Sequence, residues 1–378
     1  MKKGLLILLC CFSFMRYIAA AKIDLKAKSA ILMDDNTGTI IFSLNENERR
    51  PMASMTKIMS LILIMEALDN KVMSLDDEVV ISNYAESQGG SQIYVKENDI
   101  YTVKDLLKAV TMASANDAVV ALAEKLYGSV EDFVDKMNEK ATLLGLENTH
   151  FVNPHGLDAK DHYSSAYDMA VMARELLKHE EILNYTKIYE EYLKKNDGTN
   201  IWLVNTNKLV RFYEGLDGLK TGYTGNAGYC ITATAKKNNF RLIAVVMGED
   251  SIENRSSDVV KMLNYGFNSY RTNLIKSKDE SLGEVKVLKG KLKKVKVYLV
   301  KDAIELLNAS QQQSKYHFKL DIDKVVAPIK KGKVIGNVII YDENDKVINK
   351  IGIVVHENVL KANLWDLFKK RLSIITSV

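Results

Sequence analysis

The chain is poor in cysteine, proline and tryptophan, with 3, 3 and 2 of them among 378 residues. Three thiols cannot build a disulfide scaffold. A disordered chain is excluded as well, because 47% of the residues are apolar. The formal net charge of +4 is too small for a nucleic-acid binder. No internal repeat and no low-complexity tract is present, so solenoid architectures are set aside. What remains is a chain long enough for one large domain or two ordinary ones, with ample core.

The charge is unevenly placed. Residues 22–275 carry 28 basic and 36 acidic side chains, whereas residues 276–378 carry 21 and 12. An acidic first part and a basic last part suggest two domains facing different surroundings. At the start, Lys2 and Lys3 precede the apolar run Gly4–Met15, and Ala19, Ala20 and Ala21 stand before Lys22. This order of charge, apolar run and small residues predicts a signal peptide over residues 1–21, with Arg16 inside its cleavage region. A membrane-anchoring first helix is the alternative, and the run is too short to span a bilayer. Cys10 and Cys11 invite lipid attachment, but Leu9 before them is not small. Export would leave Cys230 as the one cysteine, in the apolar run Gly228–Ala235, where a buried structural thiol is expected.

Ser29–Met33 and Thr39–Leu44 read as a hairpin turning at residues 34–38. Ser54–Leu68 is helical and apolar on nearly every side, which predicts a buried central helix. Helices are also predicted over Leu106–Ser114, Asp117–Tyr127, Val130–Leu144, Tyr167–His179 and Val259–Phe267. A second hairpin joins Tyr229–Thr234 to Leu242–Met247 through Asn238-Asn239. Strands at both ends around a helical middle imply an α+β unit, one antiparallel sheet flanked by helices. From about Leu282 short alternating strands take over: Val285–Leu288, Val295–Leu299, Tyr316–Leu320, Val334–Tyr341 and Val347–Val355. The expected division is a catalytic unit over 22–275, a small all-β domain over 276–358, and a terminal amphipathic helix over 359–378. In that last segment Leu360, Leu364, Leu367, Phe368, Leu372 and Ile375 recur at helical spacing opposite Lys369 and Lys370, a pattern suited to a membrane interface. Packing of the same helix on the β-domain is the alternative.

Three short motifs carry the chemistry. Ser54-Met55-Thr56-Lys57 opens the buried helix, and its spacing puts Ser54 and Lys57 on one face. A serine hydroxyl needs a base, and a lysine serves only if its pKa is lowered by burial or a cationic neighbour. The helix start also aims backbone N–H groups at charge developing on a carbonyl oxygen. Ser114-Ala115-Asn116 offers a hydroxyl and an amide between two predicted helices. Lys220-Thr221-Gly222 offers a cation and a hydroxyl to a carboxylate, with Gly222 permitting close approach, just before the strand that starts near Tyr229. Taken singly, each motif is equally a helix cap or a turn.

Together, in this order, they match the motif set of the penicillin-recognising serine acyltransferases. The segments Pro51–Lys57, Phe151–Leu157 and Asp217–Thr224 resemble the low-molecular-mass penicillin-binding proteins, the D-alanyl-D-alanine carboxypeptidases. The resemblance covers nearly the whole chain. It implies that Ser54 attacks the penultimate D-Ala carbonyl to form an acyl-enzyme, with Lys57 as base and Ser114 passing a proton to the leaving amine. It implies that Asn116 binds the peptide amide, and that Lys220, Thr221 and Arg255 hold the terminal carboxylate beside Gly222. The oxyanion hole would be the Ser54 amide and one near Tyr223 or Thr224; Tyr223 stands where some members carry His. No metal or cofactor is implied. The expected partners are a peptidoglycan stem peptide ending in D-Ala-D-Ala, β-lactams as covalent inhibitors, and the outer face of the cytoplasmic membrane.

Two alternatives stand beside this reading. One is a β-lactamase-like hydrolase, for which Glu180-Glu181-Ile182-Leu183-Asn184 imitates the deacylating Glu-x-x-Leu-Asn segment; that segment reads instead as the end of the Tyr167–His179 helix. The other is a non-catalytic cell-wall-binding protein. His150, His155 and His162 are spaced for no standard metal site and read as loop histidines.

Overall fold

The structure, a computed structural model, describes residues 23–195, 198–313 and 315–363. The expected signal peptide and residues 364–378 of the expected terminal helix lie outside them. Strands β1 (Ser29–Asp34) and β2 (Ile40–Leu44) form the first hairpin, and a 3-10 turn over Ala53–Thr56 leads into helix α1 (Lys57–Asp69). A small ribbon of β3 (Glu78–Val80) and β4 (Ile100–Thr102) encloses α2 (Asn83–Glu86). Helices α3 (Val103–Lys108), α4 (Asn116–Tyr127), α5 (Val130–Leu143), α6 (Ala166–Leu176) and α7 (Leu183–Thr186) complete the helical middle. A second ribbon, β5 (Glu190–Lys194) with β6 (Asn200–Val204), and the short α8 (Leu209–Phe212) lead to β7 (Leu216–Thr224), β8 (Gly228–Lys237), β9 (Phe240–Glu249) and α9 (Ile252–Ser269).

The main sheet is antiparallel, in the order β2-β1-β9-β8-β7. Both of its faces are covered, so its inner strands bury runs of six or more consecutive residues rather than alternate ones. Ile31, Met33, Ile243 and Val245 face α1 and the other helices of the middle, while Ala30, Leu32, Leu242 and Ala244 face Val259, Met262 and Leu263 of α9. The helix α1 is buried along its length from Lys57 to Met65, as its all-round apolar character predicts.

Three elements of this first unit depart from the sequence reading. The expected helix over Leu106–Ser114 widens into a π turn over Ala109–Ala113 that stops at Ser114. The expected long helix over Tyr167–His179 ends at Leu176; His179 leaves helical geometry and its Nδ1 meets Asp69 Oδ2 at 2.5 Å, so a contact with the end of α1 overrides local propensity. Lys220-Thr221-Gly222 is not a loop before a strand. It lies within β7, whose glycines and threonines imitate a turn.

The C-terminal part is all β. Strand β10 (Tyr270–Lys276) pairs with β13 (Ala303–Asn308). A six-stranded sheet combines β11 (Gly283–Leu288), β12 (Lys294–Leu299), β14 (His317–Asp321), β15 (Val325–Val326), β16 (Val334–Tyr341) and β17 (Val347–Val354) in the order β14-β16-β17-β12-β11-β15. Residues 359–362, expected to begin a helix, are extended instead. Val359 exchanges both backbone bonds with Ile329 and is buried, and Ala362 N–H donates to Lys289 O at 2.8 Å. Apolar Val359 completes a small core with Val287 and Ile329, which outweighs helical spacing.

Candidate active site

The turn that carries Ser54 is held from below. Thr56 Oγ1 donates to Ala53 O at 2.8 Å and meets His162 Nε2 at 2.8 Å. Val152 N–H donates to His162 Nδ1, so that nitrogen carries no proton and Nε2–H is the donor to Thr56. Burial keeps His162 neutral, its pKa lowered to about 4. Gly156, at φ +93, presses on the same turn: a Cβ there would lie 2.0 Å from Ala53 O. The segment 151–157 and His162 thus buttress the nucleophile turn, and His155 and His162 are loop histidines, as expected, that are buried there. His150 is exposed.

Lys57 is fully buried at the first position of α1. Its Nζ lies 3.0 Å from Ser54 Oγ, 2.6 Å from Asn116 Oδ1 and 2.8 Å from His155 O. Burial pushes its pKa well below the ordinary 10.5, the charge of Lys220 pushes the same way, and Asp117 opposes. A neutral amine has two N–H bonds and one lone pair. Asn116 Oδ1 and His155 O can only accept, so they take the two N–H bonds. The lone pair is left for the Ser54 hydroxyl proton, which is the arrangement a general base requires.

Ser114 and Asn116 arrive through the π turn. Ser114 adopts a left-handed conformation at φ 62 where the turn ends, and its Oγ is buried without a hydrogen-bond partner. Asn116 opens α4; its N–H donates to Ser91 O and its Nδ2 to Gly89 O, both at 2.7 Å. The loop 89–91 escaped the sequence reading, and its one signal is the doublet Gly89-Gly90: a Cβ at Gly90 would lie 2.8 Å from Asn116 Nδ2.

The third motif is built by β7 and β8. A Cβ at Gly222 would fall 2.8 Å from Met52 O and 3.1 Å from Ser54 N, so only glycine lets β7 lie against the nucleophile turn. Lys220 is buried, and burial together with the charge of Arg255 lowers its pKa to about 7. Arg255 of α9 is itself buried, and its Nε has no hydrogen-bond partner. Two buried cations make this end of the cleft a place for an anion, whose charge would restore Lys220 to its protonated form. Thr221 Oγ1–H donates to Thr206 Oγ1 at 2.8 Å. Tyr223 is exposed and tilted over Tyr229, with ring centroids 4.3 Å apart. Contacts thus join Ser54, Lys57, Asn116 and Gly222, and charge interactions tie Lys220 to Lys57 and Arg255 to Lys220.

Residues 16–251 match the family described as D-alanyl-D-alanine carboxypeptidase, and residues 270–361 match the C-terminal domain of penicillin-binding protein 5. The chain belongs to the D-alanyl-D-alanine carboxypeptidases. The carboxypeptidase DacF of Bacillus subtilis is 45% identical over 350 residues, covering 92% of this chain and 89% of that protein. DacA of Haemophilus influenzae is 34% identical over 354 residues, covering 91% and 88%. Among solved structures, penicillin-binding protein 5 of Haemophilus influenzae superposes with a TM-score of 0.71 at 31% identity, covering 90% of this chain and 99% of that one. Penicillin-binding protein D2 of Listeria monocytogenes, in its ampicillin-bound form, gives 0.59 at 32% identity over 65% and 99%.

Two features of this carboxypeptidase lie apart from that cleft. Glu180, the first residue of the segment that imitates a deacylating glutamate, lines a groove with Asn36, Lys236 and Asn239 at the β8–β9 turn, among none of the motif residues. Cys230 is buried opposite Gly222, and burial pushes its thiol up to about 11, as expected of a structural cysteine.

Proposed function

We propose that this serine-type carboxypeptidase removes the terminal D-Ala of peptidoglycan stem peptides with Ser54 as nucleophile and Lys57 as its base. The observation that carries the proposal is the pair of acceptors, Asn116 Oδ1 and His155 O, that occupy both N–H bonds of an unprotonated Lys57 and leave its lone pair to Ser54 Oγ, 3.0 Å away. Lys57 takes the Ser54 proton as Oγ bonds to the penultimate D-Ala carbonyl carbon. The oxyanion is received by the Ser54 amide and, across the contact at Gly222, an amide of β7 near Tyr223. Ser114 Oγ, buried and unpartnered, passes a proton to the leaving amine, and D-Ala departs. Asn116 orients the peptide amide, while Lys220, Thr221 and Arg255 hold the terminal carboxylate. Water then cleaves the acyl-enzyme. A β-lactam, whose ring amide and carboxylate imitate the same peptide end, would form the same ester at Ser54.

The proposal is tested with a diacylated peptide ending in D-Ala-D-Ala. Free D-Ala is expected, and stoichiometric, long-lived labelling by penicillin beside it. Rapid penicillin turnover without D-Ala would reveal a β-lactamase-like hydrolase, and neither reaction would leave a non-catalytic wall-binding protein.

We further propose that the protein is exported, that its catalytic and β-rich units divide near residue 275, and that it associates with the outer face of the cytoplasmic membrane through its basic amphipathic end. Among the described residues no helix is long and apolar enough to cross a membrane. Because residues 359–362 are stitched to the β-rich unit, the cut belongs after Asn363. Protein lacking residues 364–378 is expected to leave the membrane fraction with undiminished activity on soluble peptide. Truncated protein that still sediments with membranes would contradict the anchor.

A further inference from the structure

A groove of about 810 Å³ opens between the main sheet's turns and the all-β part of the chain. One wall is the β8–β9 turn, the end of α9 and Asn36 of the first hairpin. The other is β10, residues 300–304 and Asn349 of β17. No residue of the three motifs lines it. Past Asn36, Glu180, Lys236 and Asn239 it joins a second hollow of about 370 Å³, so the whole is elongated rather than a single pocket.

The lining mixes neutral amides with cations. Asn36, Asn238, Asn239, Asn268 and Asn349 all border the groove. Among the described residues, none of these five side-chain amides makes a hydrogen bond within the protein. Each therefore keeps a donor and an acceptor side by side. Lys236, Arg271, Lys278 and Lys301 border it too, and among the described residues none of the four has a carboxylate partner. A further cation, Lys237, is occupied over the Tyr213 and Phe267 rings, with Nζ 5.0 and 5.2 Å from their centroids. Two acids stand against these charges, Glu180 and Asp302, and Asp302 Oδ1 already accepts from Lys278 N–H at 2.8 Å. The cations at 236 and 271 are not the overflow of a basic region, because residues 22–275 carry more acid than base.

A polymer charged at every unit is best met by cations alone. Amides and cations in similar number suit a mostly neutral polymer that carries carboxylates at intervals. We infer that the groove is a second, non-catalytic binding site for the glycan strands of peptidoglycan. The asparagines pair with acetamido and hydroxyl groups of the N-acetylated amino sugars, and the cations meet carboxylates borne by the strand. The inference rests on the peptidoglycan reading above and adds a place where the polymer, rather than its peptide end, is held. Holding the strand raises the effective concentration of its stem peptides at Ser54, so the benefit falls on polymer and not on a short peptide.

The test uses two double variants of the full chain, Lys236→Ser with Lys301→Ser, and Asn268→Ala with Asn349→Ala. D-Ala release is measured from soluble, uncross-linked strands with intact stem peptides and from a short diacylated D-Ala-D-Ala peptide. Each double variant is expected to raise KM for the strands by about fivefold or more, with kcat and the short-peptide kinetics within about twofold. Strands stripped of stem peptides, which retain their muramyl carboxylates, are expected to bind the unaltered protein and to bind each variant about fivefold more weakly by calorimetry. Unchanged strand kinetics would overturn the inference, and so would equal losses on strand and short peptide. Polyphosphate that binds as tightly as stripped strands, with the asparagine variant unaffected, would overturn it in favour of an unselective basic surface. Absence of D-Ala release from both substrates by the unaltered protein would overturn the carboxypeptidase reading instead, since stripped-strand binding needs no turnover and decides the groove separately.

Discussion

Ser54→Ala is expected to abolish covalent labelling by penicillin and to lower D-Ala release by about 10,000-fold or more, the scale on which removal of a nucleophile acts. Ser54 is only half-buried, and among the described residues its Oγ shares a hydrogen bond with Lys57 Nζ alone, so the variant should fold with little change in melting temperature. The loss is therefore chemical rather than structural. The residual rate should come from binding and from the oxyanion donors alone. Intact-mass measurement after exposure to penicillin checks this directly: the unaltered protein gains one acyl group, the variant none. Labelling that survives would show another residue to be the nucleophile.

Lys57→Met is expected to slow acylation about 1,000-fold, the upper range of a positioned general base. Methionine fills similar space, but Asn116 Oδ1 and His155 O lose their donor, at a cost of about 2 kcal/mol in stability. Lys57→Arg should be no better, because a guanidinium does not surrender its proton in a protein. Serine and lysine act as a unit, so the double variant Ser54→Ala, Lys57→Met should be little slower than Ser54→Ala alone. Near-normal acylation in either lysine variant would place the base elsewhere.

Much of this site was legible in the chain. Ser54 and Lys57 are one helical turn apart, and an apolar helix announces that the lysine is buried. The family resemblance that the three motifs carry then implies their roles. What was not legible is tertiary. Gly222 reads as a turn residue until Met52 O and Ser54 N are seen pressed against it. The same glycines and threonines concealed β7 as a strand, because its burial comes from neighbours distant in sequence. His155 and His162 carry no local sign of burial, and their role depends on Ala53, Thr56 and Lys57, about a hundred residues earlier. Ser114 needs a π turn, which no periodicity foretells.

The strands outside the site were legible only in part, for a related reason. Strands β1, β8 and β9 are dense in apolar residues, whereas β10 and β13 are unremarkable segments that acquire meaning only by pairing with each other. At the far end, helical spacing in residues 359–362 lost to a small apolar core that accepts Val359.

The decisive measurement is the pH dependence of acylation under saturating penicillin, where Lys220 already faces a carboxylate and its titration is masked. Protonated Lys57 has no lone pair, so the rate must rise with pH as that one proton leaves. The midpoint should lie well below 10.5, the ordinary value for a lysine, and should vanish in Lys57→Met. A midpoint at or above that value, or a profile that Lys57→Met leaves unchanged, would contradict the lysine as the base that arms Ser54.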